Sequence, residues 1–208
     1  MHRPIEIIDD FYTEEELNLI FSDTAKDDLF SEGYQPYKHK AVYSSRFQAY
    51  PCHETNKMPE DSAIFVNLKN KLNSIHPEVK HDEMYTFFRK IYKDEILKSV
   101  CKDGKGAAHT DEDDCIIAGV IYLDKRYSFN AGTNLFTLDK EFPQFEQDIQ
   151  VGSKFNRCII YPSDILHQAL YDLNIDSRFI QVFFVCKEEK SNNEKKYTYH
   201  HYQHTKKV

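Results

Sequence analysis

His109 and Asp111 are separated by one residue. On an extended backbone, side chains two positions apart project to the same face, so this imidazole and this carboxylate can reach one ion. The pair suits a borderline divalent metal, and a third ligand must come from elsewhere in the chain. His167, which follows Tyr161, Pro162 and Ser163 at the start of a later β-rich run, is the candidate. Two imidazoles and one carboxylate on one face of an octahedron suit Fe(II) and leave three coordination positions open. Those positions have room for a chelating co-substrate and O2, and a chelating diacid needs a fixed cation for its distal carboxylate. Arg178 is placed to supply it. Ten residues lie between His167 and Arg178, enough for one strand, a turn through 174–177 and the beginning of the next antiparallel strand. A guanidinium pairs with a carboxylate through two parallel hydrogen bonds. Tyr122, in the run IIAGVIYL, can add a phenolic hydrogen bond to the same carboxylate.

Taken singly, each residue has a plainer reading. An isolated HxD triplet is common on solvated loops, Arg178 reads as a surface-strand cation in a salt bridge, and Tyr122 as a core residue with a satisfied hydroxyl. Their combination in a β-rich setting favours the metal reading. Glu112, Asp113 and Asp114 read as a solvated loop, since two further carboxylates would crowd the open positions. His200, His201 and His204 belong to a polar, charged tail that begins near Lys187. Cys101 and Cys115 read as packing residues, because a thiolate beside Fe(II) and O2 is readily oxidised.

These side chains need a scaffold, and the sequence describes one. The run PIEIIDDFY at 4–12 predicts a short strand leading to Thr13, which with Glu16 forms a T-x-x-E capping box for a helix carrying Leu17, Ile20 and Phe21. Ile64, Leu68, Leu72 and Ile75 recur at helical spacing before Pro77, predicting a second helix over about 60–75. The stretch 31–59 has no clear period and is expected to be irregular, with one strand near 41–50. From residue 84 onward the chain turns to short β-rich runs: MYTFFRKIY, IIAGVIYL, NLFTL, FNRCIIY, ILHQALYDL and RFIQVFFV. Six such strands without a long intervening helix predict an antiparallel sandwich or barrel. Helices covering one sheet would explain why RFIQVFFV is apolar on both faces.

Composition narrows the function classes. With 40% hydrophobic and 14% aromatic residues in a 208-residue chain, a single real core is expected. The formal charge of -7 offers no positive field for phosphate backbones, which makes nucleic acid a disfavoured partner. The start MHRPIEIIDDFY lacks the apolar stretch of a signal peptide, and no window approaches a membrane span. Five dispersed cysteines without a CxxC pair argue against a disulfide framework and a thiolate zinc site, and suggest a reducing cytoplasm.

HTD at 109–111, His167 and Arg178 beyond a ten-residue gap resemble the H-x-D...H-x10-R/K pattern of the Fe(II)- and 2-oxoglutarate-dependent dioxygenases. Within that superfamily the chain is most similar to the prolyl 4-hydroxylase-like branch. IYLDK at 121–125 resembles its IYYLNK strand, GTNLF at 132–136 its GGxL segment, and PIEIIDDFYTEEELNLI its opening strand and helix. Two positions depart from the pattern. Ser99 stands where the animal oxygen-sensing members place a tyrosine ten residues before the HxD histidine, and GGxL has become AGTNL at 131–135.

The resemblance implies one mainly β domain over 1–208 with N-terminal helices, built on a double-stranded β-helix, or jelly roll. Residues 1–83 would form helical support and a lid, 84–187 the jelly-roll core and 188–208 a polar tail. His109, Asp111 and His167 would hold iron, with Arg178 and Tyr122 on 2-oxoglutarate, O2 as co-substrate and ascorbate as a stimulant. The implied reaction couples decarboxylation of 2-oxoglutarate to hydroxylation. Asp111 argues against halogenation, since family halogenases vacate that position. The expected substrate is a prolyl residue in a peptide or protein, gripped by Tyr34, Tyr37, Tyr43, Arg46, Phe47 and Tyr50 of the lid. A free amino acid or other small molecule is the alternative, and a catalytically inactive jelly-roll binding module the non-enzyme reading. A nucleic-acid demethylase would carry R-x-N-x-T-x-R about Arg178, which RFIQVFF lacks, and a hydrolytic metalloenzyme would have no use for Arg178 at this spacing.

Overall fold

The structure, a computed structural model, describes residues 5–24, 53–80, 82–98, 102–106, 108–111, 114–126, 128–138 and 145–187. The strand expected near 41–50, the aromatic lid residues at 34–50, Glu112, Asp113, Ser99, Cys101 and the tail histidines lie outside these residues. Elements run in the order β1 (Glu6–Ile8), α1 (Glu14–Thr24), β2 (His53–Glu54), α2 (Ala63–Ile75), β3 (Glu83–Tyr92), α3 (Lys93–Leu97), β4 (Cys115–Tyr122), β5 (Gly132–Leu138), β6 (Phe145–Gly152), β7 (Arg157–Tyr161), β8 (Leu166–Leu170) and β9 (Ser177–Cys186). Six strands form a major sheet in the order β1-β7-β4-β9-β3-β2, and three form a minor sheet in the order β6-β5-β8. All named pairings are antiparallel. The molecule is mainly β, with α1 and α2 on one side of the major sheet.

The helix starts follow from local chemistry. Thr13 N donates to Glu16 Oε2 at 2.7 Å while Glu16 N donates to Thr13 Oγ1 at 3.3 Å, closing the reciprocal box at the start of α1. Ser62 caps α2 by accepting from Phe65 N. The apolar stripe of α2, with Ile64, Leu68 and Leu72 buried, packs with Ile20 of α1 and with Met84, Phe88, Ile117, Ile121, Phe183 and Val185 of the major sheet. The opposite face of that sheet carries Ile91, Ala118, Val120, Tyr122, Ile180 and Val182, which meet Leu135 and Val151 of the minor sheet. Strand parity therefore divides each major-sheet strand between two cores, and β9 is apolar on both faces for that reason.

Three features were not expected. The run FEQDIQVG forms β6, and KDEIL forms the short helix α3. The expected pattern of free thiols is corrected at one pair: Cys115 and Cys186 are joined by a disulfide. The β4–β9 register sets these two residues directly opposite each other, although 71 residues separate them in sequence. This linkage removes the cysteine argument for a reducing compartment. Cys158 is a free thiol in the helix-side core. Among the described residues no helix is long and apolar enough to cross a membrane.

Candidate active site

The minor sheet carries the first cluster. His167 stands on β8, where its backbone N–H donates to His109 O at 2.8 Å and its carbonyl accepts from His109 N at 2.9 Å. This closed two-way bridge fixes the 109 segment as a short extension of the sheet beside β8. Asp111 N then donates to Ser163 O at 3.0 Å, and the Ser163 hydroxyl donates to the carbonyl of Cys115. The HxD segment is thus anchored by backbone at one end to β8 and at the other to the turn before it.

The side chains converge. His167 Nε2 lies 3.7 Å from Asp111 Oδ2, and His109 Nε2 lies 4.0 Å from Asp111 Oδ1. These gaps exceed hydrogen-bond length, and one ligand atom from each residue falls within 4.8 Å of the others. His167 Nδ1 is 3.0 Å from Ile165 O. A carbonyl can only accept, so Nδ1 carries the proton and Nε2 presents its lone pair to the cluster. Burial pushes the His167 imidazole down to about 4, and the charge of Arg89 adds to that effect. His167 is therefore neutral near pH 7, the form in which imidazole binds metals. Two imidazole nitrogens and a carboxylate oxygen form a donor set that fits Fe(II).

The second cluster lies deeper in the same interior. Arg178 shares the parity of Ile180 and Val182 and points between the sheets, 8% exposed. Its Nη1 donates to Leu170 O at 3.3 Å and its Nη2 to Gly132 O at 3.1 Å. The guanidinium sits over the rings of Tyr122 and Tyr171, 5.4 and 5.5 Å from their centroids. Gly132 has φ +143, and a Cβ there would strike the carbonyl of Val151, so only glycine lets β5 start here and aim its carbonyl at Arg178. Tyr122 is fully buried, its Oη 2.9 Å from Thr133 Oγ1, and burial pushes its phenol up, keeping it a donor.

Register sets the distance between the clusters. His167 pairs with Leu135 and Leu170 with Gly132, so the Arg178 contacts lie three residues along β8 from His167. At the rise of a β-strand this is about 10 Å, close to the span of a five-carbon diacid plus its contacts at both ends. Three residues that the sequence reading did not assign a role also bear on the site: Thr133, Ser163 and Arg89. Arg89 is held by Glu54, with Nε 2.6 Å from Oε1. Arg89 shares the interior parity of Ile91, and only the β3 alternation could have pointed to it.

No family model matches the chain, and no curated protein matches it. Solved structures do. A prolyl-4-hydroxylase from Pseudomonas putida superposes with a TM-score of 0.58 at 12% identity, covering 90% of this chain and 94% of its own. A Trichoplax adhaerens prolyl hydroxylase, solved with a peptide fragment of a hypoxia inducible factor oxygen degradation domain, gives 0.59 at 11% identity over 88% and 83%. The fold is that of the 2-oxoglutarate- and Fe(II)-dependent oxygenases. HygX from Streptomyces hygroscopicus, solved with nickel and 2-oxoglutarate, shares it with a TM-score of 0.54 at 9% identity over 88% of this chain and 82% of its own. Within an oxygenase fold, the two clusters occupy the space between the major and minor sheets.

Proposed function

We propose that this chain is an Fe(II)- and 2-oxoglutarate-dependent hydroxylase acting on a prolyl residue in a peptide or protein. The observation that carries the reading is the placement of His109, Asp111 and His167 about one diacid length from Arg178 and Tyr122, inside one oxygenase fold. The neighbours solved with 2-oxoglutarate and with a peptide support the co-substrate and the substrate class.

His109, Asp111 and His167 hold the metal, the bridge between the two histidines keeping their side chains adjacent. Bound iron with 2-oxoglutarate supplies an oxidant strong enough to hydroxylate a C–H bond, with succinate and CO2 as co-products. The protein's own part is positional. The Ile165 carbonyl holds His167 in the tautomer that offers Nε2. Arg178 and the Tyr122 hydroxyl receive the distal carboxylate and so fix the reach of the co-substrate. Val120, Leu135, Ile180 and Val182 form dry walls that exclude water from the oxidant.

The test is anaerobic reconstitution with Fe(II), followed by measurement of 2-oxoglutarate-dependent succinate formation against proline-containing peptides, free amino acids and nucleotides. One added oxygen on a peptidyl proline, read by mass spectrometry with ascorbate present, is the expected result. Hydroxylation of a free amino acid alone would exclude the peptide substrate and keep the enzyme class. Failure to bind either iron or 2-oxoglutarate would leave a jelly-roll binding module.

A further inference from the structure

Cys115 opens β4 and Cys186 closes β9, and the ladder between those strands sets them directly opposite each other. Cys186 shares the parity of Ile180, Val182 and Phe184, so the disulfide lies on the face of the major sheet that meets the minor sheet. Tyr161, whose ring centroid is 5.0 Å from that of His167, pairs with Ala118, and Ala118 pairs with Phe184, two residues before Cys186. The disulfide therefore stands one β repeat, about 7 Å, along the strand from the level of His167. The two cysteines are not held alike. Cys186 is also paired with Glu83 of β3, while the pairing of β4 with β7 stops at Ala118. Between Cys115 and Ile117 the register with β9 shifts, which locally breaks the ladder. Before this bulge, the start of β4 is joined to its surroundings by the disulfide, by Lys187 N donating to Asp114 O at 3.1 Å, and by the Ser163 hydroxyl donating to the Cys115 carbonyl. The Ser163 carbonyl in turn accepts from Asp111 N at 3.0 Å. A covalent bond to a strand paired on both sides thus lies two hydrogen bonds from the backbone of the carboxylate ligand.

We infer that the Cys115–Cys186 pair is a redox switch on metal binding: the disulfide fixes the start of β4 and, through Ser163, the Asp111 backbone, and the dithiol form releases it. The inference rests on the metal site proposed above. The chemistry is thiol–disulfide exchange with an external dithiol. One thiolate of the reductant attacks a cysteine sulfur and forms a mixed disulfide, and its second thiolate then closes the reductant's own disulfide and expels that cysteine. Two electrons and two protons pass from the reductant to Cys115 and Cys186, and no further oxidant or reductant takes part. Both cysteines are buried, yet each adjoins an exposed residue at the end of its strand, Asp114 and Lys187, and exchange begins from that end. Cys158 is walled into the core on the opposite face of the sheet and has no part in the exchange.

The experiment compares the oxidised full chain with the same chain reduced by dithiothreitol, the reductant being removed by anaerobic gel filtration. Thiol titration without denaturant counts the cysteines released. Mn(II), a hard ion with little affinity for thiolate, then reports the metal site through the paramagnetic resonance of the free ion, so no turnover is needed. Reduction should add two thiols and weaken Mn(II) about tenfold, the low end of what losing support around a metal ligand does. Reoxidation should restore the affinity. The double variant Cys115→Ser, Cys186→Ser should bind Mn(II) as the reduced parent does, with or without reductant; if it fails to fold, the reduced parent carries the same readout. Ser163→Ala should weaken Mn(II) in the oxidised chain, and reduction should then add little, because both changes reach Asp111 by one path. Equal Mn(II) affinity in the two redox forms, a thiol count that reduction leaves unchanged, or full additivity of reduction with Ser163→Ala would each overturn the switch while sparing the proposed function. A parent that binds no Mn(II) in either form would remove the metal site and the switch with it.

Discussion

Replacing Arg178 by methionine removes the guanidinium and keeps an unbranched apolar stem between the sheets. The parent side chain uses one N–H of each terminal nitrogen on a carbonyl, and its Nε has no hydrogen-bond partner among the described residues. Of five N–H donors, three therefore remain for a ligand. In the absence of ligand the variant loses two neutral-acceptor bonds and two cation–ring contacts, and it also relieves the burial of a charge. The net destabilisation should be about 1–3 kcal/mol. With ligand the arithmetic is harsher, because a desolvated carboxylate without its cation typically loses about 3–5 kcal/mol. The 2-oxoglutarate dissociation constant should therefore rise by roughly two to four orders of magnitude. Anaerobic titration of the Fe(II) protein, followed through the absorption that appears when 2-oxoglutarate chelates iron, measures this directly. Iron affinity should be unchanged, since Arg178 lies some three residues of strand away from His167. A variant that binds iron and 2-oxoglutarate as the parent does would refute the assignment of Arg178 and, with it, the reading of the deep cluster as a carboxylate site.

Alanine at His109, Asp111 or His167 should abolish tight Fe(II) binding while the fold persists, checked by metal analysis after gel filtration and by circular dichroism; full occupancy in any variant removes that residue from the triad. Gly119→Ala should destabilise the protein by about 1–3 kcal/mol or more in a thermal melt, because the added Cβ would collide with the edge of the Phe183 ring, which is 0% exposed and cannot yield. Asp9 is held by Arg157, at 2.6 and 3.0 Å, and by Lys154, at 2.8 Å, which keep its carboxyl well below the usual carboxylate range. Its stabilisation is therefore present above the unfolded value of roughly 4 and lost as pH falls toward the folded value. Asp9→Asn should cost less than about 1 kcal/mol at pH 7 for this partly exposed network, and melts of the two proteins should draw together below pH 3 or so.

Much of this arrangement can be read in the residues, and the parts that cannot share a physical reason. Strand runs rich in β-branched and aromatic residues declare themselves, and so do the Thr13–Glu16 box and the stripe of α2. β6 does not, because FEQDIQVG intersperses acids and amides with its apolar residues, and its placement is set by pairing with β5. Contacts made across sheets are likewise silent in a one-dimensional pattern. Thr133 and Tyr122 lie 11 residues apart on strands of different sheets, and no spacing rule joins them. Cys115 and Cys186 become neighbours only through the β4–β9 register. Arg178 could be singled out because His167 lies on the strand just before it in the chain, so a gap of ten residues encodes the geometry.

The position of Arg178 also couples architecture to binding. It rises from β9 of the major sheet and donates to carbonyls on β8 and β5 of the minor sheet, so one side chain both closes the deep end of the sandwich and offers its remaining donors inward. A carboxylate bound there would neutralise a cation that joins the sheets at this depth. Binding must then stabilise the folded chain by an amount that rises with the logarithm of ligand concentration, through linkage. A loss of packing alone would lower the melting temperature of Arg178→Met equally with and without 2-oxoglutarate. Loss of a carboxylate partner would instead erase the ligand-dependent rise and leave a smaller, ligand-independent deficit. The two contributions of this residue are separable for that reason, although they are made by the same guanidinium.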